Sequence, residues 1–287
     1  MKLRFTKMHG AGNDFIVFDA ADERALPSPV QLRALANRHT GVGFDQALVL
    51  MPPRRAGTQV YYRIFNADGG EVEQCGNGAR AVAELLRRTA RAAAGEIAMD
   101  SPAGAVTARI VAPGVIAVDM GEPRFEPQAL PFDSAGPVAP GSPFHPLDVD
   151  GQALEIGAVS MGNPHAVLLV DQLETAPVAT LGALIERHPR FPRRVNVGFL
   201  QIVDRTQVNL RVFERGVGET LACGTGACAA VAVGRKAGRL AERVAVRLPG
   251  GLLEVAWPGP GQHLWLQGPA VVAFEGEVDI PEVGSAS

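Results

Sequence analysis

An internal repeat constrains the fold more than any other feature of this sequence. The segment FNADGGEVEQCGNGA, which starts at Phe65, aligns at an offset of 148 residues with FERGVGETLACGTGA, which starts at Phe213. This alignment places Cys75 over Cys223 and matches the glycines that follow each cysteine. Three further blocks match in the same order at offsets between 147 and 155 residues. One short match has little meaning, but four ordered matches predict two homologous halves.

The length of 287 residues fits about two domains, in agreement with the repeat. We predict a first repeat domain over 1–124, which contains Cys75, and a second over 151–274, which contains Cys223. A Pro-rich connection over 125–150 joins them. A C-terminal tail follows over 275–287, and packing back on the first domain is one arrangement for it.

The Pro-rich stretch from Glu122 to Asp150 contains seven prolines. Such a composition predicts an irregular connection rather than a regular element. Its apolar residues Leu130, Phe132 and Val138 indicate that the connection lies against the protein.

Each half shows the same order of predicted elements. In both, a strand and a helix precede two strands, the Cys-Gly-x-Gly turn, a second helix and three more strands. The helix after Cys223, GACAAVAV over 226–233, is apolar all round, which is typical of a buried helix. We therefore predict an α+β fold with two pseudo-symmetric domains, each an antiparallel-rich curved sheet around a central helix. The predicted strands are 15–19, 46–50, 60–65, 97–101, 105–111 and 115–120, then 166–170, 199–203, 207–213, 244–248, 252–257 and 263–267; the first helix of each half is 29–38 or 177–188.

Composition excludes several classes of function. The net charge of −3 gives no sign of a nucleic-acid or anionic-membrane partner. No apolar run approaches the ~20 residues that a membrane span requires. Lys2, Lys7 and Lys236 are the only lysines, which makes Schiff-base chemistry with pyridoxal phosphate improbable. Three cysteines do not form a disulfide framework, so we expect a reducing, cytoplasmic compartment.

Two cysteines are expected where a loop turns into a helix. The free N–H groups of a first helical turn stabilise negative charge, and Cys75 and Cys223 both precede such a turn. A thiol there can act as an acid or a base, and the flanking glycines admit a carboxylate close to the backbone. Two facing halves would present two thiols to one ligand from opposite sides. This pattern points to a cofactor-free racemase or epimerase, which takes a proton from one face of a carbon and returns it to the other.

Other roles for the cysteines have weaker support in the sequence. Cys228 lies in the middle of the apolar helix and is expected to be an inert, buried side chain. No CxxC pair or histidine spacing indicates a zinc or redox centre, so we predict no metal site. We nevertheless keep two alternatives open: a proline or hydroxyproline racemase, and a non-catalytic thiol protein that senses oxidants or binds metal.

The motifs GAGNDF (10–15), CGNGAR (75–80), GNPH (162–165) and ERGVGETLACGTGA (214–227) resemble the diaminopimelate epimerase family, and the match extends from Met8 to about Gly268. The resemblance implies a cofactor-independent isomerase that interconverts LL- and meso-2,6-diaminopimelate in lysine and peptidoglycan synthesis. It also implies a homodimer. Proline racemases and a phenazine-biosynthesis isomerase group are relatives with the same fold.

The resemblance further assigns roles to residues. Cys223 is implied as the thiolate that takes the α-proton of the LL form, and Cys75 as the thiol that protonates the other face. His165 and Glu214 are placed to tune the thiols. The implied substrate-binding positions are Asn13, Gln46, Asn66, Gly76, Asn77, Asn163, Asn196, Glu214, Arg215, Gly224 and Thr225. Because a guanidinium forms a fork that fits a carboxylate, Arg215 is expected to bind the distal end of the substrate. The Arg-rich stretch over 187–194 is expected to be a solvated surface.

Overall fold

A computed structural model describes residues 2–72, 75–92, 95–134, 139 and 141–280. Among these residues, no helix combines the length and the apolar content needed to cross a membrane. The chain divides into two compact units. The first contains the chain up to Val118 and the segment from Gln267 onwards, and the second runs from Asp119 to Leu266. The limits drawn from the sequence at 124, 150 and 274 remain predictions of domain boundaries.

The first half of the chain forms nine strands and two α-helices among the described residues. Their bounds are β1 Lys2–Gly10, β2 Asn13–Asp19, α1 Pro29–Ala36, β3 Gln46–Met51, β4 Tyr61–Asn66, β5 Glu71–Val72, α2 Gly76–Arg88, β6 Glu96–Ser101, β7 Gly104–Ala112, β8 Val115–Asp119 and β9 Phe144–Val149.

The second half repeats this order of elements. The bounds are β10 Gln152–Ser160, β11 Pro164–Leu169, α3 Val178–Glu186, β12 Asn196–Ile202, β13 Gln207–Glu214, β14 Gly218–Thr220, α4 Gly224–Lys236, β15 Arg243–Leu248, β16 Gly251–Ala256, β17 Trp265–Pro269 and β18 Val271–Asp279. Every predicted strand and helix has a counterpart here, with ends that shift by a few residues.

The strands of the first unit pair mainly antiparallel. β1 pairs with β2, β3 with β4, and β6 with β7, all antiparallel, whereas β2–β3 and β4–β6 are parallel. The second unit repeats this pattern: β10–β11, β12–β13 and β15–β16 are antiparallel, and β11–β12 and β13–β15 are parallel. The same pairing order in both units confirms the predicted α+β class and the two homologous halves.

The last strand of each half pairs with the first strand of the other half. β9 pairs antiparallel with β10, and β18 pairs antiparallel with β1. Residues 275–279 of the predicted tail thus belong to β18, whereas 281–287 lie outside the described residues. The compact units therefore do not coincide with the sequence halves, because the first unit includes β18 and the second includes β9.

The expectation that the Pro-rich stretch is wholly irregular is wrong. Phe144–Val149 is a strand in which buried and exposed side chains alternate, with Pro146 on the exposed side. Proline is tolerated at a strand position that donates no ladder hydrogen bond, so the proline count hid the period-two pattern. Leu130 and Phe132 are buried, as predicted, while Val138 lies outside the described residues.

A helix lies against the strands at the centre of each unit. In the first unit α2 packs against β1, β2, β3 and β7, and in the second α4 packs against β10, β11, β12, β13 and β16. The α4 helix is buried along most of its length, as its apolar sequence predicts, and Cys228 is fully buried within it. The helix and the surrounding strands fix where the first turn of α2 or α4 points.

Candidate active site

The first helix of interest, α2, begins directly after Cys75. Cys75 is the N-cap residue in an extended conformation, and its Sγ accepts the backbone N–H of Gly78 at 3.4 Å. A Cβ at Gly78 would come within 2.9 Å of Leu48 Cδ2, so this helix start lies close against β3. The thiol thus takes the capping position that Ser, Thr or Asp usually occupies.

Four predicted amide side chains of the first unit form two hydrogen-bonded pairs. Asn77 donates through Nδ2 to Asn13 Oδ1, and Gln46 donates through Nε2 to Asn66 Oδ1 at 2.9 Å. Gln46 and Asn66 lie opposite each other in the β3–β4 ladder. The Oε1 atom of Gln46 is buried and has no hydrogen-bond partner among the described residues. A buried acceptor of this kind is a place where a ligand can donate.

A charged cluster that the sequence did not reveal holds the strand residues next to these amides. Asp14 follows Asn13 and accepts from Lys7 at 2.6 Å and from Arg38 at 2.7 Å, while Asp45, which precedes Gln46, accepts the backbone N–H of Asp14 at 3.0 Å. Burial opposes ionisation of Asp14, but the Arg38 and Lys7 hydrogen bonds outweigh it and lower the pKa of Asp14. Burial raises the pKa of Asp45. The cluster ties β1, β2 and the start of β3 together.

The second helix start repeats the first with different neighbours. Cys223 is the extended N-cap residue of α4 and is 5% exposed. Its Sγ lies 3.6 Å from Thr225 Oγ1. Burial, followed by the negative charge of Glu214, raises the pKa of Cys223 well above its usual value, although hydrogen bonds from Thr225 and Gly226 favour the thiolate. This thiol is therefore protonated at neutral pH.

A chain of hydrogen bonds leads from Thr225 to a buried histidine. Asn163 donates through Nδ2 to Thr225 Oγ1 at 3.3 Å, and its Oδ1 lies 3.0 Å from His165 Nε2. With Asn163 in this orientation, Nε2 of His165 is the donor and Nδ1 is unprotonated. Nδ1 is buried without a partner among the described residues. Burial, with the charge of Arg215, lowers the pKa of His165 to about 3, so the ring is neutral at physiological pH.

Arg215 is fixed by its neighbours at both the backbone and the side chain. Asn196, which is buried, accepts the backbone N–H of Arg215 at 3.0 Å and donates to Pro164 O at 3.1 Å. The guanidinium donates through Nη1 to the backbone oxygen of Arg193 at 3.0 Å. Glu214, one residue earlier, accepts from Thr220 Oγ1 at 2.5 Å. The end of β13 and the turn after it thus carry a negatively charged and a positively charged side chain at adjacent positions.

Six of the predicted site residues lie in the first unit and eight in the second. Asn77 at the start of α2 contacts Asn13, and Thr225 at the start of α4 contacts Asn163. Further contacts between predicted residues join Gln46 to Asn66 and Asn196 to Arg215. The sequence did not predict Asp14, Asp45, Lys7 or Arg38, because nothing in it distinguishes a buried charge from a solvated one. Within the described part of the chain, no three His, Cys, Asp or Glu side chains are grouped as metal ligands.

Comparison with known proteins gives the family of this chain. The family model described as diaminopimelate epimerase matches residues 5–126 and 157–273. A diaminopimelate epimerase of Acidovorax ebreus is 54% identical over 98% of this chain and 99% of its own length. The diaminopimelate epimerase of Thioalkalivibrio sulfidiphilus is 52% identical, over 98% of this chain and the whole of its own length.

Solved structures with far lower identity share the fold. A hydroxyproline epimerase from Agrobacterium vitis, with bound trans-4-hydroxy-L-proline, superposes with a TM-score of 0.70. It is 15% identical, and the superposition covers 98% of this chain and 94% of the other. At this level of identity the comparison concerns the architecture alone.

Proposed function

The chain belongs to the diaminopimelate epimerase family, and from that premise we propose which of its residues interconvert LL- and meso-diaminopimelate. Cys223 removes the α-proton from the LL substrate as a thiolate, and Cys75 delivers a proton to the opposite face of the same carbon. In the reverse direction the two thiols exchange roles, as a two-base reaction demands.

Because its pKa is raised, Cys223 first loses its S–H proton to solvent, and the transfer itself then uses only the two thiols and the substrate. The Cα–H proton moves to Sγ of Cys223, and the electron pair of that bond stays on the α-carbon as a carbanion spread into the carboxylate. The S–H proton of Cys75 then forms the new Cα–H bond. Backbone N–H groups at Gly76, Asn77, Gly224 and Thr225 bind the α-carboxylate, where the helix starts favour the charge that develops.

One observation supports this assignment above the others. Cys75 and Cys223 are both extended N-cap residues of repeat-related helices, so each thiol adjoins the N–H groups of a first helical turn. The surroundings of Cys223 suit its role as a base. Because burial and Glu214 raise its pKa, the thiolate of Cys223, once formed, is a stronger base towards a weakly acidic C–H bond.

Recognition of the rest of the substrate is assigned to the polar groups around the helix starts. The Oε1 atom of Gln46, which has no partner in the described part of the chain, accepts from a substrate ammonium group. Arg215 binds the distal carboxylate, which a proline or hydroxyproline substrate does not have. The asparagines at positions 13, 163 and 196 supply donors and acceptors to both ends of the molecule.

Turnover in deuterated water tests the proposal. Incubation with LL-diaminopimelate should give the meso form with one solvent deuteron at the inverted α-carbon, which NMR and mass spectrometry detect. Cys75→Ala and Cys223→Ala should each lower the rate of epimerisation by at least about 10³-fold, because either change removes one of the two acid–base groups. Cys228→Ala is the matched control, since this thiol is buried in α4, and it should remain active. Full epimerisation by either of the first two variants would refute the two-thiol assignment.

Two further properties belong to the proposal. We propose a homodimer, which the family resemblance implies, and sedimentation equilibrium of the purified chain measures it. We also propose a cytoplasmic location, which is consistent with a count of three cysteines that does not make a disulfide framework. Fractionation of cells that express the chain tests this location.

A further inference from the structure

A buried carboxylate lies at the end of α3, outside the residues discussed so far. Glu186 is the last residue of α3 and is 1% exposed. The arginine-rich stretch that follows was expected to be a solvated surface, and Arg187, Arg193 and Arg194 are indeed exposed. Nothing in the sequence gave Glu186 a function, and burial of an acidic side chain requires specific partners.

The contacts of Glu186 point towards the turn that carries Arg215. Its Oε1 accepts the backbone N–H of Gly216 at 3.0 Å. Its ion pairs, with Arg187 at 3.0 Å and Arg194 at 3.5 Å, involve side chains that are 72% and 53% exposed. Solvent screens these two pairs, so the Gly216 bond is the specific contact of the carboxylate.

The same chain segment contacts Arg215 at two more points. Arg193 O accepts from the guanidinium, and Asn196 Oδ1 accepts the backbone N–H of Arg215. Gly216 has φ +76°, and Val217 N–H bonds back to Glu214 O at 3.1 Å, so the chain reverses sharply here. Residues 186–196 therefore hold the backbone on both sides of Arg215 as well as its side chain.

From this arrangement we propose that Glu186 is a positioning residue that orients Arg215, and through it selects substrates with a second, distal carboxylate. The inference rests on the proposed function, which assigns the distal carboxylate to Arg215. A guanidinium offers five N–H donors in a fixed plane, and the Arg193 bond uses one of them. A paired hydrogen bond to a carboxylate tolerates little rotation of that plane, so the turn beneath it has to be rigid.

A double-mutant cycle tests whether Glu186 acts through Arg215. The kcat and KM for LL-diaminopimelate are measured for the wild type, Glu186→Ala, Arg215→Met and the double variant. We expect Glu186→Ala to raise KM about tenfold with a much smaller change in kcat, because binding of the distal end is weakened. In the Arg215→Met background the same change should have no further effect on KM, since the two residues act as one unit. If Glu186→Ala raises KM by the same factor in the wild type and in the Arg215→Met variant, the inference is overturned.

Conservative variants separate positioning from a general structural role. Glu186→Gln keeps an oxygen for the Gly216 N–H and should restore most of the wild-type KM. Arg194→Ala removes an ion pair of Glu186 and leaves the Gly216 bond, so its KM should equal that of the wild type. If Glu186→Ala does not fold, Glu186→Asp replaces it in the cycle, because the shorter side chain draws the carboxylate away from Gly216.

The outcomes distinguish this inference from the function on which it rests. A wild-type chain that does not epimerise LL-diaminopimelate refutes the proposed function. An Arg215→Met variant with unchanged KM refutes the assignment of the distal carboxylate to Arg215, and the inference with it. If the free-energy effects of Glu186→Ala and Arg215→Met on KM are additive, only the inference is refuted, and the two-thiol reaction is unaffected.

Discussion

Replacing His165 with glutamine should remove much of the acid sensitivity of the second unit. In the folded protein burial and the charge of Arg215 lower the pKa of His165 to about 3, whereas the ordinary value is 6.5. Between these two pH values only the unfolded chain binds the proton, so the free energy of unfolding falls as the pH falls. From pH 7.5 to pH 5.0 the loss due to this one histidine amounts to about 2 kcal/mol.

Urea unfolding at several pH values measures this effect. The protein contains two tryptophans, and both Trp257 and Trp265 belong to the second unit, so their fluorescence reports the unit that contains His165. The wild type should lose about 2 kcal/mol more than His165→Gln over this pH range. Each curve is fitted with the same m-value, since the surface exposed on unfolding is unchanged.

His263 provides a matched control in the same unit. It is exposed, and its hydrogen bond to Asp119 at 2.7 Å raises its pKa. A raised histidine pKa stabilises the folded state as the pH falls, so His263→Gln should make the acid sensitivity slightly steeper rather than weaker. If the wild type and His165→Gln lose the same free energy between pH 7.5 and pH 5.0, His165 is not held neutral by burial.

Two further changes test the packing and the electrostatics of the second unit. A Cβ at Gly157 would overlap both γ-carbons of Val233, so Gly157→Ala should lower the free energy of unfolding by about 1–3 kcal/mol. Gly198→Ala is the control and should lower it less, because the nearest atom to a Cβ there is 3.5 Å away. Thermal unfolding compares the two variants, and equal losses of free energy would contradict this packing. Glu214→Gln should speed the alkylation of Cys223 by iodoacetamide at pH 8, because it removes a negative charge that raises the thiol pKa. Mass spectrometry of the modified peptide gives the rate of alkylation, and a slower reaction than in the wild type would contradict the expected charge effect.

Sequence reasoning located the elements whose ends are marked by capping residues, proline or glycine. Ser28, Pro29 and Gln31 form a capping box with proline at the first turn, and the helix starts there as expected. By contrast, β1 was not predicted, although Leu3 and Phe5 are buried and alternate with exposed Lys2 and Arg4. The basic residues Lys2, Arg4 and Lys7 interrupt the apolar residues, so the alternation is hard to recognise in the sequence. Its pairing with β18, near the other end of the chain, has no local signal at all.

The candidate site was predictable as far as the repeat and the family motifs extend. Both mark Cys75 and Cys223, and the structure places each thiol at the start of a helix. Residues that support the site were beyond this reasoning. In the sequence, Asp14 and Glu186 cannot be distinguished from acidic residues on the surface. Only the folded chain shows that one meets two cations and the other a backbone N–H.

The two helix starts, although related by the repeat, differ in charge. At the offset of 148 residues Arg80 corresponds to Cys228, and both are fully buried. Arg80 donates to Asn77 Oδ1 at 2.6 Å and places a positive charge beside the first turn of α2. In the second unit a carboxylate, Glu214, acts on the thiol instead and raises its pKa.

This difference fits a reaction between two molecules that are not mirror images. LL- and meso-diaminopimelate differ at one α-carbon and keep the other, so the two faces of the reacting carbon are not equivalent in the bound molecule. In the two-thiol reaction proposed above, nothing then requires equal acid–base groups on the two sides. A positive charge favours an anion at the start of α2, whereas Glu214 makes the Cys223 thiolate more basic. Divergence of the two halves around a shared thiol position is therefore what we expect when a duplicated domain takes an unsymmetrical substrate.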